Sequence, residues 1–308
     1  MIKVGIVGLG DVAFEYRNHT HSRLKITHAD IIRENPFYEL VCGIDSDQIQ
    51  REKFSKFYDV PTFSNFDLNS PTTEVDLWVI STPTHTHLEI LEKVLELQPQ
   101  YILMEKPLSQ NLVEANHSAK LVSQSETKFF LNYQRNYHPE IQKIAETMNE
   151  AKSIHLIGNF NGNWLNTGSH LIALAQHLVG DRLTLNYELE ARNDALHVSG
   201  KEYSVDLFNQ TNSAGNFFSL KAITPTNHIE YNSTFDTISY YSFQRSAIFS
   251  NEMVLTSPPN VVTLDEVQGI QHVYSAIQAC AAGLPHPKVG IEQGLNTMVW
   301  LDKLKTKF

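Results

Sequence analysis

Cysteine is almost absent: Cys42 and Cys280 are the only two in 308 residues, far apart and outside any C-x-x-C spacing. Neither a disulfide framework nor a thiolate zinc site is expected, and a reducing cytoplasm fits. Runs of Lys or Arg are also missing, and the formal charge of −10 offers little to phosphate backbones or anionic lipid. Nucleic acid is therefore not an expected partner. No apolar stretch reaches the roughly 18 residues of a membrane span. The start, MIKVGIVGLG, is too short and too glycine-rich for a secretory h-region. A soluble, unprocessed chain with no membrane partner is the expectation. Metal-ligand spacing is lacking as well. Among 14 histidines, His19 with His21 and His85 with His87 have no Cys or carboxylate partner at ligand spacing, so no metal is expected. Low-complexity tracts and internal repeats are absent too.

What is present is an ordinary globular composition, 42% hydrophobic and 19% charged, in a chain of 308 residues. At about 150 residues per domain this suggests two. Up to residue 130, short runs rich in Val, Ile and Leu alternate with stretches of helical spacing. IKVGIVG, ELVCGID, LWVIST, YILMEK and KFFLNYQ read as five buried strands. HLEILEKVLEL and NLVEANHSAKLV read as helices between them, the pattern of an α/β, doubly wound parallel sheet. Over residues 131–308 the pattern changes. LTLNYELEA, YSVDLFN, GNFFSLKAI, HIEYNSTF, ISYYSF and MVLTS tend to alternate and are separated by Asn, Gly, Pro and Ser. They predict an α+β domain on a mainly antiparallel open sheet, with one face left for a helix or a second subunit. HLIALAQHLVG and residues 269–282 read as helices before and after it.

Directly after the first strand, Gly8, Gly10 and Ala13 form G-x-G-x-x-A, with Asp11 and Val12 between. Alone, such a stretch is no more than a flexible strand end. At the first strand of a parallel sheet it predicts a Rossmann-type turn whose backbone approaches a pyrophosphate. Asp45 ends the second strand, where a carboxylate accepts from the adenosine ribose hydroxyls and repels a 2′-phosphate, favouring NAD over NADP. A turn or cap residue is the plainer reading of the same aspartate. Its distance from the glycines exceeds the usual spacing because an insertion, YRNHTHSRLKITHAD, lies between. STPTHTH closes the third main strand, and Ser81, Thr82, Pro83 and His87 are placed there for a nicotinamide dinucleotide to cross the strand ends. A loop capping the next helix would look similar.

MEKPLS follows the next strand, with Glu105, Lys106 and Pro107 in sequence. This motif, with the glycine turn, STPTHTH, NYQRNYHP and NTGSH, resembles the Gfo/Idh/MocA oxidoreductases, the group of glucose-fructose oxidoreductase and inositol dehydrogenase. The resemblance spans nearly the whole chain. It implies a two-domain NAD(P)-dependent enzyme with Glu105 and Lys106 at the nicotinamide and His170 facing a substrate carbinol. The stretches around Thr27-His28-Ala29 and LNTGSHLI are most similar to members acting on sugars or nucleotide-sugars, so a carbohydrate-type substrate is implied. Dimers or tetramers through the sheet that carries TISYYSF are implied by the same analogy. The residue types agree with these roles. His170, ordinarily near pKa 6.5, suits a base, and Lys106, ordinarily near 10.4, suits electrostatic stabilisation of alkoxide, although the opposite assignment stays open. A surface lysine and a helix-start histidine are the plainer readings.

The chain also departs from that family. Many members carry acidic residues four positions before and three after the histidine, where this chain has Asn166 and Ala173. Asn166 still hydrogen-bonds a sugar hydroxyl but takes no proton. A non-catalytic dinucleotide-binding regulator or scaffold is accordingly the competing expectation, and a redox-neutral enzyme using NAD transiently is a third. Tyr133 and Arg135, with Asn136, follow the last strand of the first domain as candidate substrate contacts. Trp164 is a candidate stacking platform, with a buried aromatic as its alternative. His28, in the insertion, resembles a family position close to the cleft, but a lone histidine among polar neighbours is expected to be solvated more often than functional.

Overall fold

The computed structural model describes residues 1–16, 27–66, 74–183, 187–192, 194–211, 217–249, 251–256, 258–264, 269–287 and 289–305. Most of the insertion, with His19 and His21, lies outside them. The chain forms two compact units, Met1–Tyr137 with Val267–Met298, and His138–Glu266 with Val299–Phe308.

In the first unit the order is β1 Ile2–Val7, α1 His28–Glu34, β2 Tyr38–Ile44, α2 Gln48–Tyr58 and β3 Thr62–Phe63. It continues with β4 Leu77–Ile80, α3 His87–Glu96, β5 Tyr101–Met104, α4 Leu112–Ser123 and β6 Lys128–Leu131. The six strands pair in parallel in the order β3-β2-β1-β4-β5-β6. Strand order reverses between β1 and β4, which opens the carboxyl edge there to a ligand. All four side chains of β4 and of β5 are buried, as expected for a parallel sheet covered on both faces. Helix starts are fixed by short polar side chains: Thr27, Asp47 and Asn111 accept from backbone amides at the heads of α1, α2 and α4. The five expected strands are all present. The sixth, β3, is two residues long, too short to leave a periodic signal.

The second unit begins with α5 Pro139–Glu150, β7 Ile154–Phe160 and α6 Ser169–Val179. Then follow β8 Glu188–Arg192, β9 Ala195–Ser199, β10 Tyr203–Asn209, β11 Phe218–Ile223, β12 Asn227–Asn232, β13 Thr237–Arg245, β14 Met253–Leu255 and β15 Asn260–Thr263. Their order is β14-β13-β12-β11-β7-β10-β9-β8, with β15 also on β13. Every pair is antiparallel except β7 with β10. Burial alternates strictly along β7, and Leu171 of α6 lies over Gly158 on its buried face. The α/β class, with a parallel sheet followed by a mainly antiparallel one, is as the sequence predicts.

Two helices follow, α7 Gly269–Ala281 and α8 Ile291–Lys305. α7 returns to the first unit. There the Tyr38 hydroxyl donates to the Tyr274 carbonyl at 2.5 Å. Just before α8, the Val289 carbonyl accepts from the Leu131 amide at 2.9 Å and the Tyr137 hydroxyl at 2.7 Å. No helix among the described residues is long and apolar enough to cross a membrane.

Candidate dinucleotide and catalytic site

The turn after β1 joins three strand tips. The Gly8 amide donates to the Ile44 carbonyl at 2.8 Å, and the Ser81 hydroxyl donates to the Gly8 carbonyl at 2.8 Å. Gly8 has φ +86°, and a Cβ there would lie 2.8 Å from the Ser81 backbone, so both conformation and space require glycine. Gly10 differs. Its φ of −92° suits any residue, and a Cβ built on it meets nothing within 4 Å. Nothing among the described residues requires a bare backbone there. An open backbone at the switch point of the sheet fits the approach of a dinucleotide's pyrophosphate. Gly10 leads into a π-helical turn, Asp11–Glu15, in which Ala13 and Phe14 are buried, Asp11 is exposed and Val12 half-buried.

Asp45, half-buried at the tip of β2, is aimed by the turn itself. One carboxylate oxygen accepts from the Leu9 amide at 2.7 Å and the other from the Asp47 amide at 2.8 Å. Each oxygen retains a lone pair for a ribose hydroxyl. Past β4, the Thr86 hydroxyl donates to Thr82 Oγ1 at 2.9 Å, within the turn that contains Pro83. His87 is enclosed, with Nδ1 2.9 Å from the Pro107 carbonyl and Nε2 3.0 Å from the Thr82 carbonyl. Burial lowers its pKa. A neutral ring carries one N–H, so His87 donates to one of these two carbonyls and packs against the other, between the loop after β4 and the loop after β5.

The loop after β5 holds Glu105 and Lys106, and the Lys106-Pro107 peptide is cis. Glu105 is buried. Its Oε1 accepts from Asn132 Nδ2 at 2.5 Å and lies 3.1 Å from His28 Nε2, while its Oε2 accepts from the Lys106 amide at 3.3 Å. Burial alone would raise the carboxyl's pKa, but bonds from His28 and Asn132, with the charges of His28 and Lys106, bring it below the usual carboxylate value. Lys106 is half-buried. Desolvation lowers its pKa, the Glu105 charge opposes that fall, and the Arg135 charge adds to it.

His28 is fully buried, contrary to the expectation of a solvated insertion residue. Its Nδ1 lies 2.9 Å from the Tyr274 hydroxyl. Since a carboxylate only accepts, Nε2 donates to Glu105. Asn132 and Tyr274 were not candidates from the sequence. Asn132 directly precedes the NYQRNY candidates, a usable signal, whereas Tyr274 reaches this place only through the return of α7.

Tyr133 and Asn136 are 1% exposed, so both are enclosed, and Arg135 is half-exposed. In the second unit, the Asn163 side chain accepts from the Leu165 and Asn166 amides and caps the turn Trp164–Gly168 that feeds α6. Trp164 meets Phe160 edge-on with ring centres 4.6 Å apart. Asn166 is exposed, and His170, second residue of α6, is half-exposed. Ala173 is fully buried. Among the described residues no group of three or more His, Cys, Asp or Glu is arranged to hold a metal ion. A cavity of about 970 Å³ lies at the opposite end of β5 and β6, beside Gln100, Tyr101 and Lys128, and holds none of these residues.

Residues 2–133 match the family model GFO_IDH_MocA, an oxidoreductase family with an NAD-binding Rossmann fold. Residues 2–133 are thus similar to the NAD-binding Rossmann domain of that oxidoreductase family. A similar curated protein is the inositol 2-dehydrogenase of Rhizobium meliloti, 21% identical over 151 residues. That match spans 49% of this chain and 42% of the dehydrogenase, under half of its length. Among solved structures, the dehydrogenase MviM from Clostridium difficile superposes with a TM-score of 0.76 at 15% identity, over 100% of this chain and 99% of that one. The 3-ketoreductase KijD10 from Actinomadura kijaniata, solved with NADP, gives 0.72 at 17% identity over 99% and 97%. The fold of these two structures is therefore shared along both units of this chain.

Proposed function

We propose that the protein is an NAD(P)-dependent dehydrogenase or reductase acting on a hydroxyl or carbonyl carbon of a sugar, nucleotide-sugar or related polyol, with NAD preferred. The observation that carries this reading is Gly10, whose open backbone adjoins a turn that aims the Asp45 carboxylate. Gly8, Gly10, Asp11, Val12, Asp45, Ser81, Thr82, Pro83, His87, Glu105 and Lys106 would form the dinucleotide site, some by contact and His87 and Glu105 by support. A bound nicotinamide supplies the hydride donor or acceptor. Lys106 would stabilise negative charge on the substrate oxygen, and His170 would take or return the hydroxyl proton. Arg135, Trp164 and Asn166 would orient the substrate, with Tyr133 supporting from within. Preference for NAD rests on the Asp45 carboxylate. The carbohydrate class draws support from the likeness to an inositol 2-dehydrogenase and to a 3-ketoreductase.

Purified protein given NAD or NADP and a panel of sugars, polyols and nucleotide-sugars should develop the near-ultraviolet absorbance of reduced nicotinamide, more strongly with NAD. His170→Ala should lower kcat by about 10²-fold or more, the usual contribution of a general base. Full rate in that variant removes His170 from the mechanism. Asn166 and Ala173 favour a second reading, a dinucleotide-binding regulator without turnover. Tight NAD binding with no reduced cofactor across the panel would select it.

A further inference from the structure

Lys106 does not stand alone in the first unit. It ends a chain of buried polar groups that begins on α1 and α7. The Tyr274 hydroxyl meets His28 Nδ1 at 2.9 Å, His28 Nε2 meets Glu105 Oε1 at 3.1 Å, and Glu105 Oε2 accepts from the Lys106 amide at 3.3 Å. His28 is fully buried and Glu105 nearly so. A buried carboxylate is costly unless its oxygens are paired, and His28 is the only cationic-capable side chain bonded to this one among the described residues. We propose that His28 is a positioning residue for Lys106, keeping Glu105 ionised so that Glu105 in turn keeps the Lys106 ammonium charged and its loop in place. The inference rests on the reading of Lys106 as the cation beside the reacting carbon.

The charged and titratable neighbours support this direction. Glu105 is bonded by His28 from α1 and by the Asn132 amide from the end of β6, and it acts through its charge on His87 of α3, Tyr274 of α7 and Lys106 of its own loop. The Lys106 ammonium lies within the electrostatic reach of the Glu105 and Arg135 charges. Of these two, one charge favours the ammonium and the other opposes it. If His28 is removed, the enclosed Glu105 carboxylate loses a donor and takes up a proton more readily. Lys106 then loses its anionic neighbour while Arg135 stays, so its proton leaves at lower pH. Tyr274 orients the imidazole, and the Tyr38 hydroxyl bonds the Tyr274 carbonyl in the middle of α7.

The test needs no turnover. Full-length protein is acylated with limiting acetic anhydride across a pH series, and modification of Lys106 is read by peptide mass spectrometry, since only the free amine reacts. In His28→Ala the midpoint for Lys106 should fall by about one pH unit, a tenfold rise in reactivity at neutral pH. His28→Gln, whose amide can still donate to Glu105, should lie between His28→Ala and the wild type, and Tyr274→Phe should shift the midpoint less than His28→Ala. Circular dichroism checks that each variant is folded. An unmoved midpoint in folded His28→Ala overturns the proposal. If that variant does not fold, an unmoved midpoint in His28→Gln overturns it equally. A mere packing role for His28 would lower melting temperature without moving the Lys106 midpoint. Absence of hydride transfer in the wild type, with the midpoint shift intact, would sink the proposed function and leave this inference standing.

Discussion

Gly8 and Gly10 stand two residues apart and are glycine for different reasons, so substitution separates them. Gly8→Ala places a methyl 2.8 Å from the Ser81 backbone at φ +86° and should cost about 1–3 kcal/mol in urea unfolding. Gly10→Ala meets open space, so stability should hold or rise by about 0.4–1 kcal/mol through the less flexible unfolded chain. In a fluorescence titration with NADH, the same Gly10→Ala should bind markedly more weakly. Equal affinity would remove the ligand explanation for that glycine. The motif itself is legible in the sequence. The distinction between its glycines is not, because it depends on Ser81, which the fold brings from β4. His28 reads as a solvated residue for a similar reason: its neighbours along the chain are polar, while the Glu105 and Tyr274 that enclose it lie 77 and 246 positions away.

Between helices α5 and α6, Gln142 Nε2 lies 3.0 Å from His177 Nε2. An amide NH₂ donates, so this imidazole nitrogen accepts and the ring is neutral. Burial lowers the His177 pKa to about 4. An unfolded histidine binds its proton near 6.5, so the unfolded chain holds more protons between these values. The contribution to stability is complete above about pH 6.5, falls as pH drops towards 4 and levels below. His177→Gln should therefore lose less stability than the wild type between pH 7.5 and 4.5, measured as the shift in urea midpoint. Parallel curves for the two proteins would refute the assignment. Helices α3, α4 and α6 and most strands of both sheets are legible from spacing. β7 and α5 are absent from the elements expected, although Ile141, Ile144, Ala145 and Met148 have helical spacing. β7 alternates but is interrupted by Gly158, a weak strand former that is needed here because Leu171 and Leu207 fill the space above it.

The first unit is discontinuous: Met1–Tyr137 is joined by Val267–Met298. A fragment covering 1–137 leaves the Tyr38 hydroxyl and the Leu131 amide without the carbonyls of Tyr274 and Val289, and leaves His28 without the Tyr274 hydroxyl. It should show no cooperative melting transition by circular dichroism. The same fragment joined to 267–298 through a flexible linker should regain one, and a cooperative melt of 1–137 alone would refute the dependence. The change from parallel to antiparallel patterning is plain in the sequence, because period and composition both change. Which sheet a late helix packs against has no such signature, since an amphipathic stripe does not name its partner. The return of α7 also has a consequence for synthesis. The last residue of the first segment, Tyr137, is made 130 residues before Val267 (267 − 137). At about 5–20 residues per second the nascent parallel sheet waits roughly 7–26 s for its closing helix. During that interval the surfaces awaiting α7 lie uncovered beside the ribosome, which makes this half of the chain a natural client for chaperones.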